Sequence, residues 1–202
     1  MKRFIISLFV LLVTVTSTHA QGFSGDDKFL IAWEVAFPTN DFVSETSFAG
    51  GKIGYQHRIN DNVFVGLSGS WNSFSQYVSK TTYQKPDGSG AITTDIVKEL
   101  YSVPLTLDVQ YFLKGGKAIS PYVGLGLGTM YSDQTIYFNI YNIYDKNWGF
   151  VARPEIGALY SFNRATALSL SATYNYATNK SELVDVNNLS HFVLALGFVF
   201  SE

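Results

Sequence analysis

Six charged residues sit at positions where an alternating side-chain pattern points them to the same, small-residue side of a strand. Glu34, Asp108 and Glu155 are acidic; Lys52, Arg58 and Arg153 are basic. Three against three is the composition of a mutually neutralising network. Ions taken out of water carry a penalty of several kcal/mol each unless they are paired and hydrogen-bonded. Such a set can pack a polar lumen, or it can gate a narrow ion path. Packing is the simpler reading, because the enclosure these strands imply is only wide enough for side chains to fill.

Other chemistry finds less support. A nucleophile–base–acid site needs a base within hydrogen-bond reach of an exposed nucleophile. Beyond residue 20 the chain holds two histidines, His57 and His191, and neither stands at a catalytic spacing. Two histidines without any cysteine make a poor transition-metal set, so no metal or other cofactor is expected. Gly124, Gly126 and Gly128 alternate inside an extended stretch with no helix after them, so they do not form a phosphate-binding loop. Their expected role is to leave inward room for bulky neighbours such as Tyr122 and Met130.

The elements that position these residues are strands. From Thr166 to Ala177, Leu168, Leu170, Ala172, Tyr174 and Tyr176 alternate with Ala167, Ser169, Ser171, Thr173 and Asn175. A period of two marks a β-strand with one face in an apolar medium and the other in a small, polar one. Seven further segments repeat the pattern. They run Phe29–Phe37, Ala49–Ile59, from Val63, Tyr101–Tyr111, Tyr122–Tyr131, Trp148–Phe162, and His191–Phe200.

Short turns are expected at Asn60–Asn62, at Lys114–Lys117 and around Asn163–Arg164. Longer polar connections are expected at Pro38–Ser47, Gln76–Val97, Ser132–Asn147 and Thr178–Asn188. Short connections at one end and long ones at the other describe an outer-membrane barrel with periplasmic turns. Asp87-Gly88-Ser89-Gly90 marks a mobile tip in the second long connection, and the alternation from Thr135 to Tyr141 suggests a ribbon rising beyond the membrane. Its edge could add a partner strand.

A soluble barrel would show the same period with its faces exchanged. The polar faces here hold Ser, Gly, Ala, Thr and Asn, too small and neutral for a water-facing exterior. The apolar faces carry aromatic residues near their ends: Trp33, Trp71, Tyr101, Tyr111, Tyr131 and Tyr176. That placement suits lipid contact with interfacial girdles. The expected fold is all-β, an eight-stranded antiparallel transmembrane β-barrel in an up-and-down meander.

Met1–Ala20 has the form of a cleavable signal peptide, with Lys2 and Arg3 before an apolar run and Thr18-His19-Ala20 at its end. Residues 21–202 form one barrel domain. Loss of the signal leaves 12 basic residues against 16 acidic ones, a balance of −4. No clustered basic surface remains for nucleic acid. The chain has no cysteine, so no disulfide framework supports it.

Tyr101-Ser-Val-Pro104-Leu105, Pro121-Tyr122-Val-Gly-Leu-Gly-Leu-Gly128, Arg153-Pro154-Glu155-Ile-Gly157 and Leu196-Gly197-Phe198-Val199-Phe200 together resemble small outer-membrane barrels. The likeness is to the OmpA-like and OmpX-like group, and especially to the "porin family" barrels of Bacteroidetes. It implies a Gram-negative outer-membrane location, lipid as surroundings, and the outer-membrane assembly machinery as a partner. That machinery would read Phe198 and Phe200 as a C-terminal signal, here followed by Ser201 and Glu202.

The expected role is structural or surface interaction through long extracellular loops, with a plugged polar lumen and an extracellular ligand or surface partner. A narrow porin-like channel for ions or small solutes is the alternative. A lipid-modifying enzyme is the third reading, and the protein is expected not to be an enzyme.

Overall fold

Alternation along each strand fixes which side chains meet hydrocarbon, and closure follows from the pairing. The computed structural model describes residues 25–84, 90–113, 118–138, 141–184 and 186–201. The signal segment, residues 87–89 of the second-connection tip and the Lys114–Lys117 turn lie outside the described residues. Eight strands follow one another: β1 (Asp27–Pro38), β2 (Ser47–Arg58), β3 (Val63–Gln84), β4 (Ala91–Phe112), β5 (Ile119–Phe138), β6 (Tyr141–Ser161), β7 (Thr166–Ala177) and β8 (His191–Ser201). Each pairs antiparallel with the next, and β8 returns to β1, closing the barrel. Closure leaves no edge within the membrane, where an unpaired backbone group has no water to bond.

Ile31, Ile53, Leu67, Leu107, Leu127 and Leu196 are among the exposed outward residues, while the alternating inward positions are largely buried. The periplasmic turns close as small polar residues allow. Asn60 Oδ1 accepts from the backbone N–H of Asn62 and Val63, and Asn163 Oδ1 accepts from those of Ala165 and Thr166.

The sheet curls tightly at Gly66, where a Cβ would collide with the Tyr55 carbonyl and approach Gln56 Cα to 2.6 Å. Backbone cannot yield there as a flexible side chain would. Gly66→Ala is therefore expected to destabilise the barrel by about 1–3 kcal/mol, the usual scale of overpacking. Urea unfolding in lipid vesicles measures it.

The expected loops at Gln76–Val97 and Ser132–Asn147 are corrected by the structure. β3 and β4 continue as a paired hairpin to Gln84 and Ala91, and β5 and β6 pair without a register shift to Phe138 and Tyr141. Tyr77, Val78, Thr82, Thr93, Thr94, Ile96 and Val97 favour extended backbone. Beyond the membrane the outward face meets water instead of lipid, so the apolar–polar alternation that marks a strand in lipid is lost, although inward residues such as Ile96 and Gln134 stay buried. Above the last β2 partner, Ser73, and the first β7 partner, Val151, these four strands rise alone. Ten residues of strand are about 33 Å long.

The interior is layered. At the periplasmic ends of the strands Phe64, Phe112, Tyr122 and Leu159 pack together, with Phe112 ring centroids 5.3 Å from Phe64 and 5.1 Å from Tyr122. A polar layer follows. At the outer ends Phe74, Leu100, Met130 and Val193 pack with Phe42, Val43, Val186 and Leu189 from the β1–β2 and β7–β8 connections. Those two connections fold inward and are tied together. Thr39 donates its N–H and hydroxyl to the Ser190 carbonyl at 3.1 and 2.9 Å, and Asn40 Oδ1 caps the N–H of Phe42 and Val43.

Candidate functional site

The polar layer gathers four of the six inward charges into two ion pairs. Lys52 Nζ lies 2.5 Å from Glu155 Oε2, and Arg153 Nη2 lies 3.5 Å from Glu34 Oε1. All four are buried. Glu155 also accepts from Gln110 (3.1 Å), the Tyr122 hydroxyl (2.8 Å) and Thr173 (3.0 Å). Glu34 accepts from Asn72 at 2.9 Å. Tyr122 reaches Glu155 across Gly157, where any Cβ would lie 2.6 Å from the phenol ring. A carboxylate with four donors is a well-solvated ion even without water.

The other two charges belong to neither pair. Asp108 accepts from Thr106 at 2.7 Å and lines a small cavity with Lys52, Arg153 and Glu155. Arg58 sits at the periplasmic mouth, 3.7 Å from Asp26, and donates to the Gly25 carbonyl. The cavities among these groups measure about 20 and 10 Å³. Each is room for roughly one water.

Sequence reasoning missed Lys28. It projects inward one position before the expected start of β1, with Nζ 3.1 Å from the Phe64 ring centroid and 3.7 Å from that of Phe112. This is a buried cation over aromatic faces. Extending the alternation of β1 by one residue would have found it. The apolar residues that close the outer end, Phe42, Val43, Val186 and Leu189, lie in stretches whose polarity hid them.

His191 is fully buried at the outer end. Its Nδ1–H donates to the Leu189 carbonyl (3.0 Å), its Nε2 accepts from Asn175 (2.8 Å), and its ring meets Phe74 edge-on. Phe198 and Phe200 are outward and about half exposed, with Phe200 paired between Phe29 and Thr166.

Above the girdle of Trp33, Trp71, Tyr101, Trp148 and Tyr176, the ribbon carries Tyr77, Tyr137, Tyr141 and Tyr144, all exposed. Tyr77 donates to Asp95 at 3.2 Å, and that bond holds its phenol above the usual range. Lys146 pairs with Asp133 at 3.2 Å, which raises the ammonium in the same way.

The two lateral edges of the ribbon differ. On β3 the register shifts between Val78 and Thr81, placing Lys80 in an irregular segment, and Ser44 N–H bonds to Gln76. Bulges and lysines blunt an edge. On β6, residues 141–146 run straight, with Tyr141, Ile143 and Tyr144 exposed.

The family described as outer membrane protein beta-barrel domain matches residues 8–200. The chain belongs to that family. It is an outer-membrane protein, as the outward apolar band requires. Among solved structures it is similar to Neisserial surface protein A, with a TM-score of 0.60 at 15% identity over 88% of this chain and 97% of that one. It is also similar to the outer membrane protein OprG from Pseudomonas aeruginosa, with a TM-score of 0.54 at 17% identity over 90% and 97%. At such identities the likeness is one of fold. No curated protein matches the chain.

Proposed function

We propose that this barrel acts through its outer ribbon rather than through its lumen: a structural, surface-interacting protein whose interior is closed. The observation that carries the reading is the pair of apolar layers, aromatic at the periplasmic end and loop-capped at the outer end, on either side of the ion pairs. An ion would have to shed its water twice to pass them. A channel for ions or small solutes would need both layers to part together. The buried histidine is held on both nitrogens beneath a phenylalanine, and that supports a non-enzymatic role. For assembly, the outward aromatics of β8 ending at Phe200 suit recognition by the outer-membrane machinery.

The recognising surface is the straight β6 edge, which offers backbone groups and aromatic side chains to an extended peptide. A displayed peptide library panned against the protein in lipid nanodiscs tests this. Adjacent residues of a strand direct their N–H groups to opposite sides, so either Asn142→Pro or Ile143→Pro removes a donor from the open edge. The enriched peptides are expected to lose about tenfold or more in affinity for that variant, the scale of a lost hydrogen bond with its neighbours. Peptides indifferent to both prolines would contradict the edge as the site.

A further inference from the structure

The wall facing the hydrocarbon is not uniformly filled. Phe29, Tyr55, Leu67, Leu107 and Leu127 are successive partners on β1 to β5 and form one outward row. The next outward row on β2 to β5 is Ile53, Gly69, Leu105 and Thr129, and here a glycine and a threonine stand where large residues would be expected. Together they line a shallow apolar trough of about 670 Å³, open toward the hydrocarbon. Four strand spacings make it about 19 Å long, enough for most of a fatty acyl chain.

The trough has a direction. One row of partners runs Lys28, Gln56, Gly66, Asp108, Gly126, Arg153. It begins at the periplasmic mouth, where Lys28 lies on Phe64 and Phe112, and ends where Arg153 meets Glu34 deep in the barrel. Rows therefore climb from β1 toward β6, as strand tilt demands. The trough starts near the periplasmic rim at Phe29 and Tyr55, passes mid-depth at Gly69, midway along β3 between Phe64 and Phe74, and ends at Thr129, beside Met130 of the outer apolar layer.

Its lower end meets a polar cluster on the same outward face. The Tyr55 hydroxyl donates to Asp27 at 2.5 Å, and His57 Nδ1 lies 2.9 Å from the same carboxylate oxygen. Asp27 and His57 are cross-strand partners one row below Phe29 and Tyr55, and both are exposed. A carboxylate beside an imidazole complements a headgroup that carries an ammonium beside a phosphate. The wall of the trough and the cluster share one side chain, Tyr55, so chain and headgroup sites are continuous.

We infer that the trough holds one zwitterionic phospholipid of the periplasmic leaflet, its acyl chain over Gly69 and its headgroup at Asp27 and His57. Gly69→Leu fills the trough without disturbing the backbone, since a Cβ there meets only Leu105 Cδ2, at 3.2 Å. Leu105→Trp fills it from the next strand of the same row and serves as a second variant. Full-length mature protein in mild detergent is titrated with phosphatidylethanolamine or phosphatidylglycerol and weighed intact by native mass spectrometry.

One phosphatidylethanolamine per chain is expected to be retained in preference to phosphatidylglycerol. Retention should fall about tenfold in either filled variant, the worth of one or two buried methylenes. Asp27→Asn should erase the headgroup preference while chain retention persists. Equal retention by the wild type and both filled variants would overturn the inference. So would a protein dimer that the filled variants abolish, which would put a second copy in the trough, or a preference for the anionic lipid.

Discussion

Replacing Glu155 by alanine is expected to destabilise the folded barrel by about 3–5 kcal/mol, because it leaves a buried ammonium without its partner. Lys52 is the ion left behind, and Gln110, Tyr122 and Thr173 lose their shared acceptor at the same time. The effect should come mainly from the stranded charge, and a double replacement separates the two contributions. Lys52→Met with Glu155→Gln removes both charges and keeps an acceptor for the tyrosine, so its stability should return to within about 1–2 kcal/mol of the wild type. Urea unfolding in lipid vesicles, with the shift in gel mobility on boiling as a check of folding, measures both. A double variant as unstable as the single one would show that the network acts through geometry rather than through charge.

Phe74→Ala is the second large effect. Phe74 is buried in the outer apolar layer against His191, and the emptied space is roofed by tied connections that cannot collapse freely. The expected loss is about 3–5 kcal/mol, as for large aromatic truncations in a core. The same variant should still pass no current, because the periplasmic layer of Phe64, Phe112, Tyr122 and Leu159 remains in place. Stability and closure thus part company at this residue. A variant that conducts would mean that the outer layer alone makes the seal.

Most of the barrel was legible because a bilayer imposes one rule on every strand that crosses it. β7 begins and ends at Thr166 and Ala177, where the alternation does. The rule stops at the headgroups. Beyond them the outward faces of β3 to β6 meet water instead of lipid, so the period-two signal of Tyr77 to Val97 dissolves although the residues still favour extension.

The charges show a similar limit. That Glu34, Lys52, Arg58, Asp108, Arg153 and Glu155 point inward follows from alternation, but their depth along the axis follows from the stagger between strands. Stagger is set by closure of the whole sheet. It sends Arg58 to the mouth with Asp26 and brings Arg153 on β6, three strands round the closed barrel from Glu34 on β1, to that carboxylate. The inward caps at Phe42 and Leu189 were hidden for another reason, since isolated apolar residues in polar connections carry no period at all.

Closure of the lumen is tested most directly by planar-bilayer recording on the purified mature protein in molar potassium chloride. With apolar layers at both ends and ion pairs between them, the current should stay at the bare-membrane baseline across the voltage range the bilayer tolerates, for the wild type and for Phe74→Ala alike. Discrete, reproducible single-channel steps from the wild type would contradict the account and return the barrel to the class of narrow pores.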